Sequence, residues 1–175
     1  MLNKYHFITH WRVPGTVQEI SDVLGEPEDL TRWWPSVYID VKELEPGDDH
    51  GIGKRVRLLT RGWLPYTLTW EFRVIDSREP YGYTLAASGD FNGQGIWTFE
   101  QDGTHVSITY DWRVRADKPI LRYLSFIFKP IFAANHRWAM AQGEESLRKE
   151  LARRAATRET SFSLTPTDRP RHDQT

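Results

Sequence analysis

One alternation of side chains runs through most of this chain, and it is clearest in the stretch Thr67-Leu68-Thr69-Trp70-Glu71-Phe72-Arg73-Val74. Its even-numbered positions are apolar or aromatic, whereas its odd-numbered positions are threonine, glutamate or arginine. Because successive side chains of a strand point to opposite faces, the stretch predicts a strand with one buried and one solvated face. The same alternation recurs over residues 5–13, 37–42, 55–58, 83–85, 95–99 and 106–114. Short turns such as Asp102-Gly103 separate these segments, so the sequence predicts a curved antiparallel meander of about seven strands.

Two short helices are expected near the N-terminus. Thr16-Val17-Gln18-Glu19 has the form of a capping box, in which a hydroxyl group precedes a carboxylate by three residues. A helix should therefore begin there and end at Gly25. A second helix is predicted from Pro27 to Trp34, where Pro35 stops it.

One long helix is predicted near the C-terminus, from about Ile120 to Arg154. Pro130 is the strong breaker inside it and should kink or split the helix. Beyond this proline, one helical face carries Phe132, His136, Ala139, Met140, Gly143, Leu147 and Leu151. The domain is thus expected to span residues 1–154, with the polar residues 155–175 forming a disordered tail.

Length and composition limit the class of protein. The chain has 175 residues, which fits one α+β domain. Its formal net charge of -1 provides no global field that would attract nucleic acid or anionic lipid. The absence of cysteine excludes disulfides and thiolate chemistry and suits a reducing cytoplasm, where we expect the protein to be located. No run approaches the roughly 18 apolar residues that span a bilayer, so stable membrane insertion is not expected.

The order of these segments resembles the START/Bet v 1-like (SRPBCC) superfamily, and within it the polyketide cyclase/dehydrase and lipid-transport group. The stretches that carry the resemblance are Val13-Pro14-Gly15-Thr16-Val17, Leu30-Thr31-Arg32-Trp33-Trp34-Pro35, Gly51-Ile52-Gly53-Lys54 and Asp102-Gly103-Thr104-His105-Val106. The resemblance covers roughly residues 5–154 and implies a helix-grip fold, in which a sheet wraps the last helix and leaves a cavity. Members of this superfamily transport lipids, bind hormones or cofactors, cyclise polyketides or serve as interaction domains, so the resemblance implies no single chemistry.

The inward-facing aromatic residues predict either a solid core or the wall of a pocket. One long helix and two short ones must cover about seven curved strands and cannot fill the space completely, which favours a cavity of about 300–1,000 Å³. A hydrophobic or aromatic small molecule is the ligand that such a cavity would take. The residues expected to line it are Val56, Leu58, Leu68, Trp70, Phe72, Leu85, Trp97, Phe99, Tyr110, Trp112, Phe132, His136 and Met140.

His136 is the candidate for a chemical role, because it lies on the helix face directed at the sheet, where an apolar residue is the norm. It is either a core histidine hydrogen-bonded to Tyr83 or Tyr110, or a proton-transfer group that acts with one of these tyrosines. Asn135 beside it is expected to point away from this face and to bond locally.

A metal site is not indicated by the sequence. His6 and His10 are four residues apart, but on a strand this spacing separates them by about 13 Å, at roughly 3.3 Å per residue. One zinc ion, whose ligands lie about 2 Å away, cannot bridge them. The glycine-rich pairs complete no phosphate-binding motif, so no organic cofactor is indicated either.

The segment from residue 121 to 128 is apolar on nearly every side, and a helix of this kind needs burial all round. We interpret it as a gate over the pocket or as a contact within a homodimer, with membrane contact as a third alternative.

Three functions are compatible with these patterns. The first is a binding or carrier protein for a hydrophobic or aromatic molecule, and the second is a cyclase- or dehydratase-like enzyme that uses His136 with a tyrosine. The third is an interaction domain with a vestigial pocket. Binding is preferred, because the inward face is apolar and carries few polar groups.

Overall fold

Seven antiparallel strands form one curved sheet in the structure, a computed structural model. It describes the backbone of residues 4–116 and 119–163 and the side chains of residues 4–115 and 129–161. The strands are β1 (Lys4–Pro14), β2 (Tyr38–Glu45), β3 (Arg55–Arg61), β4 (Thr67–Ser77), β5 (Gly82–Gly89), β6 (Phe91–Asp102) and β7 (His105–Ala116). Their order in the sheet is β1-β7-β6-β5-β4-β3-β2. The predicted meander is confirmed, and β1 pairs with β7 along its whole length.

The helices are α1 (Val17–Leu24), α2 (Leu30–Trp33) and α3 (Pro119–Ser163), with a 3₁₀ turn at Pro27–Asp29. The capping box at the start of α1 forms as predicted. Thr16 Oγ1 accepts a hydrogen bond from the amide of Glu19, and the Glu19 carboxylate accepts one from the amide of Thr16 at 2.9 Å. Since α1 and α2 connect β1 to β2 and α3 follows β7, the element order is that of a helix-grip fold.

The strands face the core as the alternation predicts, with one exception in β2. In β4, for example, Trp70 and Phe72 are both buried. In β2 a register shift between Tyr38 and Asp40 bulges the strand. Ile39 is therefore 42% exposed, and Tyr38 takes the inward position instead. The alternation over residues 37–42 predicts that Val37, Ile39 and Val41 share the inward face, and for Ile39 this prediction is wrong, because a bulge offsets the alternation by one residue and leaves no mark in the sequence pattern.

The helix α3 is longer and more continuous than the sequence predicts. It runs through Pro130, so the proline does not split it. Residues 155–163 belong to this helix, although the sequence places them in the tail. Side-chain bonds from Arg154 to Glu26 and from Arg158 to Glu19 hold this end of the helix against the α1–α2 region. Residues 164–175 lie outside the described part of the chain.

Close packing fixes the C-terminal half of α3. Gly143 is buried against the ring of Trp34, and a Cβ atom at this position would collide with Trp34 Cζ2, so only glycine fits. Leu147 is fully buried on the same face. Earlier in the helix, residues 131–136 are only partly buried. The contrast shows that α3 closes the core around Gly143 and Leu147 and leaves space beneath residues 131–136.

A buried ion cluster adds to this attachment. Glu150 is 3% exposed. Its carboxylate accepts hydrogen bonds of 2.8 Å from Arg32 of α2 and from Arg153 and Arg154 of α3. The guanidinium groups thereby offset the cost of burying the carboxylate. These hydrogen bonds, foremost that from Arg153, hold the pKa of Glu150 well below its usual range.

We expect Glu150→Ala to lower the free energy of unfolding by about 2–3 kcal/mol, because the three arginines lose their shared acceptor. The difference in the free energy of unfolding between this variant and the wild type should have its full size above about pH 4.5 and should become smaller at lower pH. A carboxyl group whose pKa is lowered by folding stabilises the fold only while it is ionised. Urea denaturation followed by tryptophan fluorescence measures both effects.

The matched control for this variant is Glu145→Ala. Glu145 pairs with Lys149 on the exposed side of the same helix, so its loss should cost less than about 0.5 kcal/mol. Equal losses in the two variants would contradict the anchoring role of Glu150.

Candidate ligand-binding cavity

A cavity of about 350 Å³ lies between the inner face of the sheet and α3. This volume falls in the range of about 300–1,000 Å³ that is typical of small-molecule sites. Of the residues predicted to line it, the structure places the following on its wall: Leu58, Leu68, Trp70, Phe72, Leu85, Trp97, Tyr110, Trp112, Phe132, His136 and Met140. Tyr83, the other tyrosine considered for proton transfer, is on the wall as well.

Two residues predicted to line the cavity, Val56 and Phe99, are not on its wall. They are 0% and 1% exposed and belong to the core behind it. Phe99 packs edge-on against the ring of Tyr83 at a centroid distance of 5.9 Å, and Val56 is the cross-strand neighbour of Phe72. Both predictions are wrong, because alternation along a strand tells which face a side chain is on but not whether it reaches the cavity or packs in the solid part of the core.

The helices contribute wall residues that the strand alternation does not show. Leu24 and Leu30 come from the α1–α2 region, and Trp34 follows α2. The helical spacing of Ile20 and Leu24 is the sequence signal for an apolar face there. The bulge that brings Tyr38 to the wall has no such signal.

Stacked aromatic rings form the rigid part of the wall. Trp97 and Tyr110 are register partners across β6 and β7, and their ring centroids lie 4.0 Å apart. Trp112 continues the stack at 5.5 Å from Tyr110. Gly95 makes room for this stack, because a Cβ atom there would lie 2.8 Å from Trp112 Cε3. The wall therefore presents flat apolar surface with little side-chain entropy left to lose on binding.

Buried tyrosines bring neutral polar groups to the cavity. The hydroxyl group of Tyr83 donates to the carbonyl oxygen of Leu24 at 3.2 Å. The hydroxyl groups of Tyr38 and Tyr110 have no hydrogen-bond partner among the described residues. Burial raises the pKa of all three side chains, and the nearby Tyr38 adds to this rise for the other two. All three phenols are therefore neutral at neutral pH and are able to donate a hydrogen bond.

The ring of His136 stacks on Phe7 of β1 at a centroid distance of 4.2 Å. Its Nε2 atom is buried and has no hydrogen bond to any residue in the described ranges. Burial lowers the pKa of His136 to about 4, and the charge of Arg137 contributes, so the imidazole is neutral at neutral pH. The expectation of a histidine bonded to Tyr83 or Tyr110 is wrong, because the ring is held against β1 instead.

Asn135 has a structural role that the sequence analysis missed. Its Oδ1 atom accepts hydrogen bonds from the amides of Trp63 at 2.9 Å and Leu64 at 3.4 Å. Gly62 is required at this contact, because a Cβ atom there would collide with Asn135 Oδ1. The side chain ties α3 to the connection between β3 and β4. The expectation of local bonding is wrong, since the partner lies about 70 residues away in the chain and becomes a neighbour only on folding.

Charged side chains on the wall stand at its exposed parts. The exposed members are Asp49, His50, Arg61 and Glu79. Lys54 is less exposed, but its ammonium group is paired with Glu28 and Glu43 at 3.1 Å each. Among the described residues, no unpaired cation lies in the buried part of the wall.

The outer face of the sheet shows no shared histidine site. His6 Nε2 contacts Asp111 at 2.9 Å and His10 Nδ1 contacts Thr109 at 3.2 Å, so the two imidazoles have separate partners on β7. Among the side chains of residues 4–115 and 129–161, no group of three or more His, Asp or Glu residues has the arrangement of a metal site. No helix in the described ranges is long and apolar enough to cross a bilayer. The side chains of residues 121–128 lie outside the described residues, so the gate, homodimer and membrane alternatives stay predictions.

A comparison with protein families matches residues 7–158 to the family described as polyketide cyclase/dehydrase and lipid transport. The chain belongs to this family. The resemblance drawn from the sequence is thereby confirmed for most of the domain. A search among curated proteins gave no match.

Solved structures show the fold of this family member. A START superfamily protein from Mycobacterium smegmatis has a TM-score of 0.68 at 12% identity, with 85% of this chain and 97% of that chain covered. The Zhui aromatase/cyclase from Streptomyces sp. R1128 has a TM-score of 0.64 at 17% identity, with 87% and 96% covered. A STAR-related lipid transfer protein fragment from Xanthomonas axonopodis has a TM-score of 0.55 at 15% identity, with 84% and 85% covered. At these identities the likeness shows the helix-grip fold and not the ligand.

The buried neutral imidazole of His136 predicts a pH-dependent stability. Since folding lowers its pKa from 6.5 to about 4, the unfolded chain binds more protons at this residue between these values. The free energy of unfolding should therefore fall as the pH decreases through this window, by at most about 1.4 kcal/mol per pH unit for one group. His136→Phe should remove this part of the slope, and urea denaturation at a series of pH values measures it.

The control for His136→Phe is His10→Phe, because His10 is exposed on the outer face and its replacement should leave the slope in place. A slope that is the same in His136→Phe and in the wild type would show that His136 is not buried as a neutral group.

Proposed function

We propose that the protein binds a hydrophobic or aromatic small molecule in the cavity between the sheet and α3, and that it acts as a binding or carrier protein. The observation that carries this proposal is a cavity of about 350 Å³ with the stacked rings of Trp97, Tyr110 and Trp112 on its wall. Such a surface gains about 25 cal/mol for each Å² of apolar area removed from water. The family description, which joins lipid transport with polyketide chemistry, supports the same class of ligand.

The unpartnered polar atoms of the wall also support a bound molecule. Buried polar groups in proteins are nearly always hydrogen-bonded. The hydroxyl groups of Tyr38 and Tyr110 lie on the cavity wall without a partner among the described residues. A ligand, or water that it displaces, would supply the missing partners. An interaction domain with a vestigial pocket has less support, because it would have a filled cavity.

Catalysis by His136 has less support than binding. A general base works best when its pKa lies near the operating pH, and the pKa of His136 is lowered to about 4. Tyr83 donates to a backbone carbonyl, and Tyr110 lies within the ring stack. One structural neighbour is an aromatase/cyclase, but its fold is the only property that this likeness carries over.

Ala139→Phe should block binding, because Ala139 lies on the cavity wall and a phenyl ring there would occupy the space of the ligand. Ala141→Phe is the matched control, since Ala141 is exposed on the same helix. The test uses N-phenyl-1-naphthylamine, a neutral compound whose fluorescence rises in apolar surroundings. It should bind the wild type and Ala141→Phe, and it should bind Ala139→Phe at least about tenfold more weakly. Thermal melts followed by circular dichroism establish that both variants are folded.

Native mass spectrometry of the protein from its expression host is the companion measurement. A retained lipid or aromatic compound that is missing from Ala139→Phe would support the proposal and would give the chemical class of the ligand. A clean unliganded mass, together with no fluorescence gain from the probe, would contradict it.

A further inference from the structure

Three tyrosines of the cavity wall, Tyr38, Tyr83 and Tyr110, form what we name the phenol cluster. Tyr83 and Tyr110 flank Trp97 on one row across the sheet, because Trp97 is the register partner of both. Two strand spacings of about 4.8 Å separate them. Tyr38 approaches from β2, at the other end of the sheet, with its ring edge-on to Trp34 at 5.1 Å. Its side chain lines the same cavity as the other two.

The hydrogen bonds of the phenol cluster are incomplete within the described part of the chain. Tyr83 donates to the carbonyl oxygen of Leu24. Tyr38 and Tyr110 have no partner there, although both side chains lie on the cavity wall. A ligand that covers such a hydroxyl group without offering it an acceptor loses about 1–3 kcal/mol for that group. The two phenols are thus hydrogen-bond donors, and the acceptor that would complete them is an atom of a molecule inside the cavity.

The charges around the cavity decide which kind of acceptor fits. A carboxylate that enters the buried region loses its water, and it is stable there only with a cation beside it. The basic groups described on the wall do not fill that role: Arg61 is exposed, Lys54 is held by two glutamates, and His136 is neutral. A neutral oxygen needs only the hydrogen bond that a phenol donates.

We propose that the molecule bound by this protein carries a neutral oxygen at its buried end, in a phenol, an alcohol or a ketone. Tyr38 and Tyr110 select this oxygen over a plain hydrocarbon and over a carboxylate. The inference rests on the proposed function and narrows its ligand class, since it excludes a fatty acid that enters with its carboxylate first.

The test compares three ligands that share one ring system: naphthalene, 2-naphthol and 2-naphthoate. Each competes with N-phenyl-1-naphthylamine for the wild-type protein at neutral pH. 2-Naphthol should bind about three- to tenfold more tightly than naphthalene, which is the effect of one net hydrogen bond. 2-Naphthoate should bind at least about tenfold more weakly than 2-naphthol, because its charge has no partner in the cavity.

Substitutions assign the preference to the phenol cluster. In the double variant Tyr38→Phe/Tyr110→Phe, 2-naphthol should bind no more tightly than naphthalene, and the readout is the ratio of the two affinities within the variant. Tyr81→Phe is the control, because Tyr81 is 58% exposed, and it should keep the full preference. The comparison of the three ligands on the wild type stands even if the double variant does not fold.

The outcomes separate this inference from the proposed function. Equal affinity for 2-naphthoate and 2-naphthol, or a preference for 2-naphthol that survives in the double variant, would overturn the inference and leave the binding function in place. A loss of the preference in Tyr66→Phe alone would also overturn it, since Tyr66 lies outside the phenol cluster. Failure of both naphthalene and the probe to bind the wild type would overturn both.

Discussion

The attachment of α3 at one end is the constraint on which the rest of the structure depends. The carboxylate of Glu150 joins α3 to α2 through arginines, and Gly143 lets the helix backbone touch the ring of Trp34. Both contacts lie in the second half of the helix. Earlier in the helix, Asn135 binds the connection between β3 and β4 and His136 stacks on Phe7, while residues 131–136 stay only partly buried over the curved sheet. The cavity is the space that this geometry leaves open.

The chemistry of the cavity follows from the side chains that keep it open. Large flat rings such as Trp97 and Tyr110 support one another by stacking across strands, so they hold their positions without filling the space. The polar atoms among them are neutral: burial raises the pKa of the tyrosines and lowers that of His136. Charge is kept at exposed positions or in ion pairs. A wall of this composition is suited to recognise shape and neutral polarity more than ionic groups.

Much of the fold could be predicted from the sequence, because strands and helix starts are specified by patterns of neighbouring residues. The alternation around Trp70 predicts the strands, and the capping box predicts the start of α1. Less of the cavity could be predicted, because its details depend on contacts between segments that are distant in the sequence. The bulge that turns Tyr38 inward and the pairing of Asn135 with the amide of Trp63 both arise from tertiary structure. Phe99 is the converse case. The alternation correctly places its side chain on the inner face of the sheet, but the ring packs against Tyr83 in the core and does not reach the cavity wall.

The tryptophans of the cavity wall have a consequence for how the protein is studied. Four of the 8 tryptophans in the chain, Trp34, Trp70, Trp97 and Trp112, line the cavity. Indole emission responds to the polarity and to the quenching groups next to the ring, so an occupant of the cavity changes the intrinsic spectrum of the protein. The molecule therefore contains its own optical reporter of occupancy, which allows compound libraries to be screened without a label and makes the scaffold a starting point for a biosensor.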